Sequence, residues 1–172
     1  GILGKSPTFH VPMGHDGGGI LPYLNLHGIN IISISSLAKS FGVPIAIIAG
    51  SQKNMRLFKQ KSQTRLHCSP PSFAHIHALH EALTINKLDG NKRRNKLTNK
   101  IYFFRAKLTK MGFKLTKGIF PVQTIIGLPE VFTHYLYSYL KRRKMPCLLV
   151  NSHLQNQAAI SFIINNLTDI FG

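Results

Sequence analysis

Acidic residues are scarce in this chain, which has five Asp and Glu residues against 22 Lys and Arg residues in 172, a formal net charge of +17. Tryptophan is absent, and the two cysteines, Cys68 and Cys147, form no pattern typical of a disulfide framework or a metal site. No apolar run reaches the roughly 18 residues of a membrane-spanning helix. These absences argue against a disulfide framework and a transmembrane helix, and they favour a reduced, cytoplasmic setting.

The remaining composition indicates a folded protein. A hydrophobic content of 44% argues against disorder, and the length allows one domain, or one and a half, with a substantial core. The positive charge would attract phosphorylated ligands, nucleic acid or an anionic membrane. Because the cations fall on ordinary predicted helix faces rather than along one stripe, a solvated basic surface is the preferred explanation. Neither nucleic acid nor a membrane is expected as a partner.

The spacing of apolar residues predicts a mixed α/β chain. After a Gly- and Pro-rich loop over residues 1–28, the predicted elements are strands at 30–35 and 44–49, helices from Ser51 to about Lys61, from Ser72 to about Lys87 and from 92 to 111, a strand at 119–126, a helix at 129–143, and strands at 146–150 and 159–164. Asp89-Gly90-Asn91 is predicted to be a turn between two helices.

The predicted helix over residues 92–111 is amphipathic and is expected to end at Gly112. Its predicted core face consists of Leu97, Ile101, Phe104, Leu108 and Met111. In the helix before it, three histidines do not converge on one face, and no cysteine or carboxylate completes a ligand set, so no metal site is predicted. These histidines are His75, His77 and His80.

The most informative stretch runs from Ser35 to Gly42, where Lys39 lies in a polar turn between two apolar runs. Small residues on either side of a lysine would let a cofactor approach the backbone, so that the amine can reach a bound carbonyl. Ser36 could hold a phosphate through its hydroxyl and backbone N–H. One alternative is an ordinary turn lysine. Another, the Ser–Lys pair of penicillin-binding enzymes, is set aside because its Ser-Asp-Asn and Lys-Thr-Gly elements are missing.

The segment Ser36–Gly42 resembles the lysine motif of the pyridoxal-phosphate-dependent α-oxoamine synthases, the family of 8-amino-7-oxononanoate synthase and 2-amino-3-ketobutyrate ligase. Three further segments resemble family motifs in the same order, namely Gly1–Gly4, Gly17–Leu21 and Ser69–Ser72. The resemblance implies a partial class I/II aminotransferase fold of the α/β class. Residues 1–70 would end the large cofactor-binding domain, 71–111 would be bridging helices, and 112–172 would form a small α+β domain.

The resemblance also implies roles for particular residues. Lys39 would form the Schiff base with pyridoxal phosphate and transfer protons, and Ser36 would bind the cofactor phosphate. His67 occupies the position that reaches the phosphate of the neighbouring subunit in a homodimer. The expected substrates are an amino acid and an acyl thioester.

Two family features have no counterpart in the sequence. The aspartate that contacts the pyridine nitrogen belongs to a segment upstream of residue 1, and the Arg-Leu-Arg segment that binds the substrate carboxylate corresponds to Ala159–Phe162, which has no arginine. We therefore expect an incomplete or split form of the enzyme, functioning as a homodimer or with a complementing N-terminal half. The alternative is a non-catalytic basic remnant that binds nucleic acid or a partner subunit.

Overall fold

The computed structural model describes residues 14, 17, 21, 24–26, 28, 30–152 and 157–166. Most of the loop predicted over residues 1–28 lies outside these ranges, as do the Gly1–Gly4 motif and all of the glycine-rich motif except Gly17 and Leu21. Within the described ranges, no helix is both long enough and apolar enough to cross a membrane.

The chain divides into two compact units, residues 1–94 and 95–172. The described elements of the first unit are β1 (Ile32–Ser36), α1 (Leu37–Ser40), β2 (Ala46–Gly50), α2 (Gln52–Lys61) and α3 (Gln63–Leu66). β1 and β2 form an antiparallel pair whose register runs from Ile32 opposite Gly50 to Ser36 opposite Ala46. The two strands predicted here are confirmed. The predicted helix start is confirmed too, because the Ser51 hydroxyl caps α2 by accepting a hydrogen bond from the Asn54 backbone N–H at 3.3 Å.

α4 (Phe73–Lys110) is one continuous helix of 38 residues. Its start agrees with the prediction, since the Ser72 hydroxyl accepts a hydrogen bond from the His75 backbone N–H at 3.3 Å. The turn predicted at Asp89-Gly90-Asn91 is wrong, because the helix continues through all three residues. Side-chain hydrogen bonds on both sides of Gly90 explain why the helix continues where a turn was predicted.

The first of these bonds joins Arg93 to Asp89. Arg93 Nε donates to Asp89 Oδ2 at 2.7 Å, which is the i, i+4 spacing at which side chains on one helix face meet. This hydrogen bond holds the pKa of the Asp89 carboxyl below its usual value. A carboxyl with a lowered folded-state pKa stabilises the fold above its unfolded-state pKa, and the contribution is lost as the pH falls through the lowered value. The pair therefore supports the helix at neutral pH and not in strong acid.

The second set of bonds is made by Arg94, whose guanidinium lies over Gly90. Its two terminal nitrogens donate to Asn86 Oδ1 and Asn91 Oδ1, each at 2.7 Å. Gly90 is buried, and a Cβ on it would lie 2.5 Å from Asn86 Oδ1 and 3.0 Å from the Arg94 nitrogens. The absence of a side chain at this position leaves room for the guanidinium. The glycine is thus a packing residue inside a helix rather than a turn residue.

A substitution at Gly90 tests this explanation. Gly→Ala in an ordinary helix interior stabilises by about 0.5–1 kcal/mol. We expect Gly90→Ala to lower the free energy of unfolding instead, because the new methyl group displaces Asn86 and Arg94. In an Arg94→Ala background the same change should cost less, because only the Asn86 side chain then has to move. Urea unfolding of the four variants of this cycle, followed by circular dichroism, measures the coupling; additive effects would contradict it.

The second unit contains the last part of α4, and its other described elements are β3 (Lys114–Leu115), β4 (Val122–Ile126), α5 (Glu130–Arg142), β5 (Leu148–Ser152) and β6 (Gln157–Ile163). The sheet order is β3-β4-β6-β5, and every neighbouring pair is antiparallel. α5 packs against β6 and β5. The predicted strand–helix–strand–strand order is confirmed, whereas the two-residue strand β3 was not predicted.

Three isoleucines and a pair of phenylalanine rings lie at the centre of the second unit. Ile101 on α4, Ile125 on β4 and Ile160 on β6 are at most 2% exposed, and the Phe104 ring lies 5.2 Å from the Phe162 ring. Ile125 and Ile160 are direct partners across the β4–β6 pair. The core is therefore made where α4 covers the middle of the antiparallel sheet.

The core face predicted for the second half of α4 is correct for four of its five residues. Ile101 and Phe104 are buried, and Leu97 and Leu108 are half-buried. Met111 is 70% exposed, so that part of the prediction is wrong. The helix ends at Lys110, so Met111 lies beyond it, and the φ of +87° at Gly112 then turns the chain away.

Candidate active site

Lys39 lies on α1, the single helical turn that connects the paired strands β1 and β2. The loop is anchored by two backbone hydrogen bonds, from the Leu37 N–H to the Ile45 carbonyl at 2.8 Å and from the Phe41 N–H to the Leu37 carbonyl at 3.0 Å. The side chains of Leu37 and Val43 are buried beneath it, with 3% and 4% exposure. Backbone pairing and apolar burial thus hold the loop at both ends.

The middle of the same loop faces solvent. Ala38, Lys39 and Ser40 are all exposed, and Gly42 adopts a φ of +67°, which lets the chain leave the helical turn and enter β2. Within the described part of the chain, the Lys39 ammonium has no side-chain hydrogen bond or ion pair. The amine is therefore accessible to a carbonyl compound, and its small neighbours leave room for one.

Ser36 immediately precedes α1 and has extended backbone dihedral angles of φ −85° and ψ 124°. Its position is that of a helix N-cap, yet its hydroxyl does not cap the helix. The hydroxyl therefore retains its capacity to bond a ligand oxygen. The structure places Ser36 and Lys39 on one short loop, as the motif predicted.

His67 lies elsewhere in the first unit, directly after α3. The Ser62 hydroxyl caps α3 by accepting a hydrogen bond from the Arg65 N–H at 3.4 Å, and His67 ends the helix with its side chain exposed. Among the residues that the structure describes, no hydrogen bond or ion pair joins His67 to Lys39 or Ser36. Of the three predicted cofactor ligands, Ser36 and Lys39 thus share one short segment, and no described polar contact joins His67 to them.

The described residues fit pyridoxal phosphate at two of its three recognition points. Lys39 can bond the aldehyde carbon and Ser36 can bond a phosphate oxygen. A carboxylate for the pyridine nitrogen has no counterpart among the described acids, because each lies on a helix beside a partner on that helix. These pairs are Glu81 with His80 at 3.5 Å, Asp89 with Arg93 at 2.7 Å, and Glu130 with His134 at 4.0 Å.

The segment Ala159–Phe162, where the resemblance places a carboxylate-binding arginine, is part of the central strand β6. Its first three residues are at most 6% exposed, and the Ser161 hydroxyl shares a hydrogen bond of 2.7 Å with Thr124. A strand segment buried in this way contributes to the core and is not accessible to a substrate. This observation agrees with the absence of arginine from the sequence at these positions.

Arg105 is the partly buried arginine of the second unit, and its guanidinium serves the fold. It donates to the Thr116 carbonyl at 2.7 Å and to the side-chain oxygen of Gln123. The Gln123 amide is buried and donates in turn to the carbonyls of Gly118 and Phe120. Because buried polar groups need partners, this network fixes the loop before β4 and commits Arg105 to structure.

The two cysteines differ in environment, and this difference is testable. Cys68 is exposed, whereas Cys147 is partly buried, and burial raises the pKa of the Cys147 thiol. Because the thiolate is the nucleophile, we expect iodoacetamide to alkylate Cys147 several times more slowly than Cys68 near neutral pH. The Cys147 rate should keep rising at pH values above those at which an ordinary thiol is fully ionised. Peptide mass spectrometry over a pH series measures both rates, and equal rates throughout would contradict the burial effect.

The described elements mix helices with strands, and the lysine loop lies between two paired strands. Residues 18–158 match the family described as aminotransferase class I and II. The chain belongs to this family.

Several curated proteins are similar in sequence. The 8-amino-7-oxononanoate synthase of Thermosipho melanesiensis is 32% identical over 114 residues, which cover 66% of this chain and 29% of that protein. The enzyme of the same name from Fervidobacterium nodosum is 30% identical over 114 residues, with the same coverage. The 8-amino-7-oxononanoate synthase 1 of Bacillus subtilis is 28% identical over 130 residues, covering 73% of this chain and 33% of that protein.

A solved structure shares the fold. The crystal structure of 8-amino-7-oxononanoate synthase from Francisella tularensis superposes with a TM-score of 0.76 at 19% identity, covering 96% of this chain and 49% of that chain. The expected fold, a part of the class I/II aminotransferase fold, is confirmed. The chain spans about 29% of the length of the first two relatives and half of the solved chain.

Proposed function

We propose that this chain supplies the cofactor lysine of a pyridoxal-phosphate-dependent transferase of the α-oxoamine synthase type, which condenses an amino acid with an acyl thioester. One observation carries the proposal. Lys39 is exposed on an anchored loop between paired strands, inside the segment that matches the aminotransferase class I and II family. The names of the similar proteins, all 8-amino-7-oxononanoate synthases, support this reaction type.

The arrangement of the rest of the enzyme is part of the proposal. Residues 1–70 would end the large cofactor-binding domain, residues 71–111 would be bridging helices, and residues 112–172 would form the small domain. The described residues provide no carboxylate for the pyridine nitrogen, and the chain covers under a third of the first two relatives. The carboxylate for the pyridine nitrogen would come from a homodimer partner or a complementing N-terminal half. We place the enzyme in the cytoplasm.

Each proposed residue has a chemical task. When bound, pyridoxal phosphate supplies an electron sink for negative charge that forms on the substrate's α-carbon. The Lys39 amine would hold the cofactor through its aldehyde carbon and, once released, accept the proton from that α-carbon. The Ser36 hydroxyl would donate a hydrogen bond to a phosphate oxygen. The His67 imidazole would donate a hydrogen bond to the phosphate held by the neighbouring subunit.

Cofactor capture tests the proposal. The full chain is mixed with pyridoxal phosphate, reduced with borohydride and digested, and the modified peptides are located by mass. We expect the label on Lys39 to exceed that on other exposed lysines of the first unit, such as Lys53 and Lys59. A label spread over lysines in proportion to their exposure would contradict the proposal and leave Lys39 as an ordinary turn residue.

A further inference from the structure

A second feature that could bind a ligand lies in the second unit, at the end of α5, and is independent of Lys39. It is a shallow pocket of about 260 Å³ between the helix and the start of β5. Six residues line it, namely Tyr137, Lys141, Lys144, Met145, Pro146 and Cys147. Two lysines and a tyrosine thus line the pocket together with a methionine, a proline and a cysteine, and none of the six residues is a carboxylate. We call this feature the α5 pocket.

The backbone at Lys144 shows that the α5 pocket includes an unusual lysine. α5 ends in a Schellman motif, in which the Met145 N–H donates to the Leu140 carbonyl and the Lys144 N–H donates to the Lys141 carbonyl, both at 3.0 Å. Lys144 occupies the left-handed position of this motif with a φ of +57°. Glycine is the residue favoured there, since a Cβ raises the conformational free energy of that region. The lysine side chain is therefore present at a position where the backbone alone favours glycine.

The two arginines of the run have partners or positions that need no ligand, and they do not line the pocket. Positive side chains in the last turn of a helix interact favourably with its dipole, and Lys141 and Arg142 lie in that turn. Arg143 lies over the Tyr139 ring at 5.4 Å. Lys144 lies beyond the last helical turn, and with Lys141 it lines the pocket. A doubly charged anion bound in the pocket would be attracted by both lysines.

We propose that the α5 pocket binds a small phosphomonoester with a flat apolar body, a site that the proposed transferase reaction does not use. The phosphate would lie between Lys141 and Lys144, and the apolar body would pack against Met145 and Pro146. A phosphomonoester carries close to two negative charges at neutral pH, which matches two ammonium donors. The small volume restricts the ligand to a compact one, because pockets for drug-sized ligands begin at roughly 300 Å³.

Phenyl phosphate is a suitable probe because it has the charge and the flat ring but no aldehyde that could react with a lysine. Its binding can be read from Cys147, which lines the pocket, with the exposed Cys68 of the same chain as an internal reference. We expect phenyl phosphate to slow iodoacetamide alkylation of Cys147 in a saturable manner and to leave the Cys68 rate unchanged. Absence of saturable protection at Cys147, or equal protection of both thiols, would overturn the proposal.

Variants separate the pocket from the general positive charge of the chain. Lys141→Gln and Lys144→Gly should each weaken phenyl phosphate binding by roughly threefold to tenfold, the range for partly exposed charge-assisted hydrogen bonds. Arg142→Gln removes one positive charge from a residue that does not line the pocket. The affinity of this variant for phenyl phosphate should therefore match that of the parent chain. Equal weakening in Arg142→Gln would overturn the proposal in favour of non-specific attraction.

Two further measurements complete the test. Lys144→Gly should raise the melting temperature, since glycine relieves the left-handed backbone, and its loss of binding then has no explanation in unfolding. Inorganic phosphate should bind more weakly than phenyl phosphate because it cannot contact the apolar wall. Equal affinities for the two anions would overturn the role given to Met145 and Pro146, and with it the proposed ligand class.

Discussion

Lys39→Ala should remove nearly all of the borohydride-stable pyridoxyl label from the first unit, because no other described lysine there lies on an anchored loop beside an uncapped serine hydroxyl. The covalent bond to the cofactor requires an amine, so the expected loss is total at this position rather than graded. The measurement is the molar yield of labelled peptide in the variant relative to the parent chain.

Lys53→Ala is the matched control for this experiment. Lys53 is also exposed and lies on α2 of the same unit. Its substitution removes one accessible amine and leaves the lysine loop unchanged. The label on Lys39 should be unchanged in this variant. Ser36→Ala should reduce the Lys39 label without abolishing it, since one hydrogen bond to the phosphate is lost and the amine remains. If Lys39→Ala and Lys53→Ala lower the total label equally, Lys39 has no special role.

Ile160→Ala should destabilise the second unit by about 2–5 kcal/mol, the range for truncating a fully buried isoleucine. Ile160 is 0% exposed on β6 and lies opposite Ile125 on β4 and Leu149 on β5. Truncation leaves a cavity at the centre of the sheet, which neighbours held in antiparallel pairs cannot fill by moving. Urea unfolding of the full chain, followed by circular dichroism, measures the change in the free energy of unfolding.

Ile163→Ala on the same strand is the control. Replacing isoleucine by alanine lowers the intrinsic preference for a strand equally at both positions. Because Ile163 is 57% exposed, its truncation removes little buried apolar surface. We expect a change within about 1 kcal/mol, as for surface substitutions. Similar losses in both variants would show that the second unit does not depend on a packed core around Ile160.

The candidate site was predictable from the sequence to the extent that it is local. A lysine between two β-branched runs, next to small residues, predicts an exposed loop between strands, and the structure has this loop. The roles of Lys39, Ser36 and His67 toward the cofactor stay predictions. His67 shows the limit of the sequence, since its distance from Lys39 depends on chain folding and on any second subunit rather than on local pattern.

The α4 helix shows how side-chain contacts within one helix overrode the turn preference of three consecutive residues. Asp-Gly-Asn is a typical turn sequence, because glycine and asparagine tolerate turn dihedral angles. In the structure the guanidinium of Arg94 bonds Asn86 and Asn91 across Gly90, and these contacts favour the helix. The preferences of single residues do not reveal a side-chain hydrogen bond between two residues that are eight positions apart. The turn was therefore predicted wrongly.

Sequence alone determined what depends on short-range order: the α/β class, the starts of α2 and α4 at capping serines, the core face around Ile101 and Phe104, and the lysine loop. Periodicity and capping act over a few residues, and they leave a readable pattern. The tertiary structure alone decided the sheet order β3-β4-β6-β5 and the packing of α5 against β6 and β5. These features depend on which distant groups meet, and that is settled by packing and by hydrogen bonds between side chains.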